Sequence, residues 1–276
     1  MVEKYELATR FNFHQDDSTL PSSIKRRNVL VTGAIPGLGR EASRHTLALG
    51  ASTVILGVHS FSKGEAAKSD IESTTHSTRD QKVFVWPIDL ESSASIKTFA
   101  DRVWKHVFEG AWLGMAIMNA GIAQCAFHCV AQLVLAATTP ANEAEAPLAQ
   151  PHLVVLTSDI HKSIKFPERY EDRILRTLNK FDQWERSQSV TERYGATKLM
   201  DIFIAMELAQ LLPRDEYGIP LVVSDLLTRA EVPWIFKLVQ ALIARTVEER
   251  RKTLLRAGTE GFKTHGKWLE NQVVAE

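Results

Sequence analysis

The sequence predicts an α/β protein built on a single doubly wound parallel sheet with helices on both faces. Three observations carry this expectation. Short apolar runs of strand length alternate with segments of helical spacing along most of the 276 residues. The runs are apolar at successive positions, as strands buried on both faces require. The stretches between them are long enough for helical crossovers, which in parallel sheets are right-handed. Neither an internal repeat nor a long loop divides the chain into two self-sufficient cores.

Taken in order, "NVLVT" (28–32) is the first strand, followed by glycines and a helical stretch to about Leu49. "STVILGV" (52–58) is the next strand, "KGEAAKSDIES" a helix and "KVFVWPI" (82–88) the third strand. "SASIKTFADRVWKHV" has helical spacing and leads into "GMAIMN" (114–119). After a further helical stretch come "HLVVLTS" (152–158), a long helix from about Thr191 to Leu212, and "IPLVV" (219–223), which closes the strand series. "THSTRDQK" (75–82) and the proline-punctuated "TPANEAEAPLAQPH" (139–152) are expected loops. A sheet wound in this order is of the Rossmann type.

Composition narrows the function classes. With 33 basic and 33 acidic residues and no long run of one sign, the chain has no stripe for tracking phosphates, which excludes nucleic acid as an expected partner. Cys125 and Cys129 are the only cysteines, too few for a disulfide framework, and His128 is the only metal ligand beside them. They read as two small thiols on a helix, with no metal expected. No segment offers the ~18 apolar residues of a membrane span, and the first residues have neither signal-peptide nor presequence character. A cytoplasmic protein is the expectation.

In a doubly wound sheet, ligands bind beyond the carboxyl ends of the strands. There the first strand ends in "TGAIPGLGRE", with Gly33, Gly37 and Gly39. Glycines at this place allow a tight turn and let backbone approach a pyrophosphate at the following helix N-terminus. After the second strand, where a carboxylate would bind the ribose hydroxyls of NAD, stand His59, Ser60 and Lys63. Donors and positive charge suit a 2′-phosphate, so NADP is expected ahead of NAD.

Five motifs in order make a familiar pattern: "TGAIPGLG", "IDL" with Asp89, "NAG" at 119–121, "TS" at 157–158 and "YGATK" at 194–198. Together they resemble the short-chain dehydrogenase/reductase family over roughly residues 25–265. That span leaves 1–24 as an N-terminal extension and 266–276 as a tail. "VILGVHSFSKGEAA" and "TSDIH" are similar to the retinol-dehydrogenase-like branch, in the style of fungal members of secondary-metabolite pathways. The resemblance implies that Gly33, Gly37, Leu38 and Gly39 line the pyrophosphate, Asp89 meets the adenine and Asn119 supports the cofactor ribose region. It further implies that Ser158 hydrogen-bonds the substrate oxygen, Tyr194 donates and accepts the proton, and Lys198 holds the nicotinamide ribose. The implied activity interconverts a carbonyl and an alcohol on a small hydrophobic metabolite. Two copies pairing through the helices after the fourth and fifth strands are implied as well.

The chemistry is intelligible from the residues alone. A carbonyl that receives hydride gains negative charge on oxygen and needs a proton. A phenol with a pKa of ~10 is an acid, and an ammonium one helical turn away favours its phenolate, so it can also act as a base. A serine hydroxyl supplies the fixed hydrogen bond to the oxygen.

Two departures from the family pattern support an alternative, a dinucleotide-binding protein with weak or no catalysis. Phe127 stands where the family has an asparagine midway along the helix after "NAG", only eight positions beyond Asn119. After the sixth strand "LVVSDLLTRAE" lacks the usual proline-glycine pair, with Thr228 at the offset of the threonine that reaches the nicotinamide amide. Aromatic residues Phe166, Tyr170, Phe181 and Trp184 describe either a flap over a large substrate or a surface helix. His161 falls either at the substrate mouth or in a solvated loop.

Overall fold

The computed structural model describes residues 24–75, 77–108, 113–120, 152–174, 177, 190–211, 221–225, 255, 257, 267–270 and 273–275. Strand β1 (Asn28–Thr32) leads through the glycine turn to helix α1 (Leu38–Ala48), and β2 (Thr53–Val58) to α2 (Phe61–Thr75). Next come β3 (Lys82–Pro87), α3 (Ser93–Phe108) and β4 (Leu113–Met118). Then follow β5 (His152–Thr157), α4 (Val190–Leu211) and β6 (Leu221–Asp225). Each strand foreseen from the sequence is present, with bounds moved by up to about two residues.

The sheet order is β3-β2-β1-β4-β5-β6-β7-β8. Pairing is parallel from β3 through β7, and the chain reverses winding direction between β1 and β4. The expectation that "IPLVV" closes the strand series is corrected. Strand β7 (Lys267–Glu270) pairs parallel with β6, and β8 (Val273–Ala275) turns back antiparallel on β7. The tail thus continues the sheet. Its strands escape a sequence reading because they are only four and three residues long, too short to show periodicity.

Because side chains alternate along a strand, each apolar run feeds two cores. Val29, Val31, Val54, Leu56, Met115, Ile117, Val154 and Leu156 face Ala42 and Leu47 of α1 and Ile71 of α2. The intervening residues Leu30, Ile55, Ala116, Met118, Leu153 and Val155 face Ile96, Phe99 and Val103 of α3 and Ala205 and Leu208 of α4. All residues of β2, β4 and β5 are buried, which explains why these runs show no polar alternation.

At the amino ends of the strands, buried Arg27 ties β4 and β5 to β1. Its Nη1 donates to Gly114 O at 3.4 Å and lies 3.2 Å from His152 Nδ1. A guanidinium only donates, so Nδ1 accepts and the ring hydrogen of neutral His152 sits on Nε2. Burial lowers the Arg27 pKa from its ordinary value. This polar pin leaves the opposite ends of the strands to the site.

Ile117 is fully buried in β4, the strand between β1 and β5. Ile117→Ala should destabilise the fold by about 2–5 kcal/mol; denaturant unfolding measures it, and a loss under about 1 kcal/mol would contradict the packing described.

Candidate active site at the carboxyl ends of the strands

The glycine turn is shaped by close backbone approach. Gly33 has φ 63° and Gly37, preceding α1, has φ 85°. A Cβ at Gly39 would collide with the Gly33 carbonyl oxygen and lie 2.6 Å from Asn119 Nδ2. One at Gly33 would lie 2.8 Å from Ala120 Cα. Asn119, just past β4, donates from Nδ2 to Thr32 O at 3.1 Å and Gly33 O at 2.9 Å. The Ala120 N–H donates to Thr32 Oγ1 at 3.2 Å, and the Gly33 N–H to Gly57 O at 2.9 Å. Asn119 therefore supports the site by bracing the turn.

Helix α1 begins at Leu38 with no side-chain hydrogen bond capping its N-terminus. The uncapped first N–H groups of α1, next to a turn where glycines let backbone pack closely, fit a pyrophosphate. After β2, His59 and Lys63 are exposed, and Ser60 Oγ lies 3.3 Å from Ser62 Oγ. The first turn of α2 holds no acidic residue. Asp89, after β3, accepts the Glu91 N–H on Oδ1 at 2.9 Å, and its own N–H donates to Ser95 Oγ at 2.9 Å. This shapes the turn into α3. Thr228, Phe127, Cys125, His128, Cys129, Phe181 and Trp184 lie outside the described residues.

The residues expected to serve proton transfer come from the end of β5 and from α4. Ser158, 1% exposed, follows β5 in extended conformation and accepts the Ile160 N–H on Oγ at 3.4 Å, capping a 3-10 helix at Asp159–Ser163. His161 Nδ1 lies 2.5 Å from Ser158 O. A carbonyl only accepts, so the hydrogen is on Nδ1 and the imidazole helps hold this corner. Phe166 is buried with Ala196 and Met200 of α4, whereas Tyr170 is exposed.

Half-buried Tyr194 and buried Lys198 lie one turn apart on α4, with Nζ 5.8 Å from the Tyr194 ring centroid. Lys198 Nζ donates to Leu156 O at 2.8 Å, and Thr157 Oγ1 donates to Lys198 O at 2.9 Å. Gly195 allows the approach of helix and loop: a Cβ there would collide with Ile164 Cγ2 and lie 3.3 Å from Ile160 O. The segments bearing Ser158 and Tyr194 are thus held against one another.

The sequence reading passed over Gly195, Thr157 and Asp201. Asp201 Oδ2 accepts from Lys198 Nζ at 3.0 Å. Burial pushes its carboxyl up from 3.8, and the Lys198 ammonium pulls it back. The signal was a lone carboxylate in the apolar stretch "LMDIFIA", three positions after a lysine.

Comparison with known proteins gives the family of the chain. The short chain dehydrogenase family model matches residues 27–139. The short chain dehydrogenase/reductase dmxR8 of Cryptosporiopsis sp. is 31% identical, over 89% of this chain and 81% of its own. The short chain dehydrogenase atnD of Emericella nidulans is 33% identical, over 94% of this chain and 89% of its own. Among solved structures, a metagenomic short-chain oxidoreductase in complex with NADP superposes with a TM-score of 0.60 at 14% identity, covering 90% of this chain and 96% of its own. A putative short chain dehydrogenase from Shigella flexneri complexed with NADP gives 0.60 at 19% identity, over 90% and 98%. At such identity the two structures show a shared fold.

Gly39→Ala places a methyl group against backbone that cannot yield, and should weaken dinucleotide binding at least about tenfold; calorimetric titration checks this, and wild-type affinity would refute the pyrophosphate fit. Asp201 gives a stability prediction whose sign follows from its raised pKa. The folded state holds this proton more tightly than the unfolded state, so its contribution to stability falls as pH rises from 3.8 through the raised value. In Asp201→Asn that term is absent. The melting temperature of the variant minus that of the wild type should therefore increase as pH rises from the ordinary carboxylate value of 3.8. A difference that stays flat would contradict the raised value.

Proposed function

The chain belongs to the short-chain dehydrogenase/reductase family, and we propose that it is an NADP-preferring oxidoreductase interconverting a carbonyl and an alcohol on a small hydrophobic metabolite. A secondary-metabolite intermediate is the substrate class we favour. The observation that carries the reading is the Lys198 ammonium, buried beneath the end of β5 on Leu156 O and one helical turn from Tyr194.

When bound, the nicotinamide dinucleotide supplies or takes the hydride. The glycine cradle and the N-terminus of α1 bind its pyrophosphate, and His59, Ser60 and Lys63 offer donors and charge to a 2′-phosphate. Asp89 meets the adenine, and Thr228 takes the nicotinamide amide. Lys198 donates to the nicotinamide ribose, and its charge makes the Tyr194 phenol a better acid. Tyr194 gives its proton to the substrate oxygen in reduction and takes it back in oxidation. Ser158 donates a hydrogen bond to that oxygen as charge develops there; its acceptance of the Ile160 N–H orients the hydroxyl beforehand.

Titration with NADPH and NADH tests the cofactor assignment: NADPH should bind more tightly, and the double variant His59→Ala, Lys63→Ala should lose about tenfold affinity for NADPH with little change for NADH. Equal loss for both nucleotides would remove these residues from the 2′-phosphate. With a substrate from a carbonyl panel, Tyr194→Phe should lower kcat by about 10²–10⁴-fold while nucleotide affinity stays within about threefold. Retained turnover would refute the proton-donor role.

A further inference from the structure

Lys198 is anchored more firmly than a charge near a phenol requires. An ammonium has three hydrogens in tetrahedral array. One goes to Leu156 O at 2.8 Å and another to Asp201 Oδ2 at 3.0 Å. Two acceptors on different sides stop rotation about the terminal bond, and the direction of the third hydrogen is thereby fixed. One anchor is strand backbone in β5 and the other a side chain on the same helix, three residues on.

The carboxylate has no evident packing reason to be there. Asp201 lies among Leu199, Met200, Ile202 and Phe203, with its side chain 27% exposed against 6% for Lys198. A partly desolvated carboxylate costs stability, and that cost is offset where it meets a buried opposite charge. Arg193, also buried, lies five positions before Lys198, so the two do not share a helical face. Among the described contacts of the Lys198 ammonium, Asp201 is the sole carboxylate.

We propose that Asp201 is the positioning residue of the cofactor-binding lysine: with the Leu156 carbonyl it clamps the Lys198 ammonium so that the remaining N–H is already directed at the nicotinamide ribose before the dinucleotide arrives. This rests on the reading that Lys198 holds that ribose. A lysine stem left free would have to be ordered on binding, and the ordering would be subtracted from affinity. The clamp removes that loss. It acts through Lys198 alone and requires no contact between Asp201 and the cofactor.

The test is a fluorescence titration of the full chain with NADPH, accompanied by melting curves, for Asp201→Asn, Asp201→Leu, Lys198→Met and the Asp201→Leu, Lys198→Met double variant. The two Asp201 variants remove the same charge, but only the asparagine keeps an oxygen that can accept from Nζ. Lys198→Met and Asp201→Leu should each raise the NADPH Kd about tenfold, and Asp201→Asn less than about threefold. The double variant should bind no more weakly than Lys198→Met, because the clamp has nothing left to hold. Asp201→Ala makes the same comparison if Asp201→Leu does not fold. Wild-type affinity in Asp201→Leu, equal losses in Asp201→Leu and Asp201→Asn, or a further loss in the double variant would each overturn the clamp. Failure of the cofactor reading looks different: either the wild type does not bind NADPH or Lys198→Met binds it as well as the wild type, and the inference then falls with that reading.

Discussion

The site depends first on one close approach, that of Gly39 to the Gly33 carbonyl and the Asn119 amide. No Cβ fits there, and the Asn119 Nδ2 bonds to Thr32 O and Gly33 O hold the turn after β1 to the end of β4. This is the place where the sheet changes winding direction, with β2 on one side of β1 and β4 on the other, the position at which doubly wound sheets bind ligands. The turn and the start of α1 are consequences of one constraint.

A second dependence concerns charge. The Lys198 ammonium is taken almost wholly out of water, and the structure answers it with a backbone carbonyl at the end of β5 and a carboxylate on its own helix. A buried cation needs such partners to remain charged. The same bonds position it beside Tyr194. Gly195 completes this corner by letting the Ser158 segment press against α4.

The sheet was legible because burial on both faces leaves unbroken apolar runs, and β1 to β6 all stand where such runs occur. Strands β7 and β8 were not, since strands of four and three residues are too short to show a run or an alternation. The residues proposed for the site, among them Gly39, Ser158, Tyr194 and Lys198, could be named from motifs because the proposed chemistry dictates residue type and spacing. Asp201, Thr157 and Gly195 serve other residues, and a supporting role leaves no such mark on the chain.

The sequence by itself determined the parallel α/β architecture, the family and the order of the motifs along the chain, because periodicity and local turn chemistry are properties of neighbouring residues. Only the tertiary structure decided that the Asn119 amide braces the glycine turn and that Leu156 O and Asp201 share the Lys198 ammonium. Two of these bonds, Asn119 to Gly33 and Lys198 to Leu156, join residues 86 and 42 positions apart. Asp201 is near Lys198 in sequence, but whether its carboxylate meets the lysine or solvent depends on which face of α4 the sheet covers. Hydrogen bonds of that kind follow from how strands and helices stack, and no local pattern encodes them.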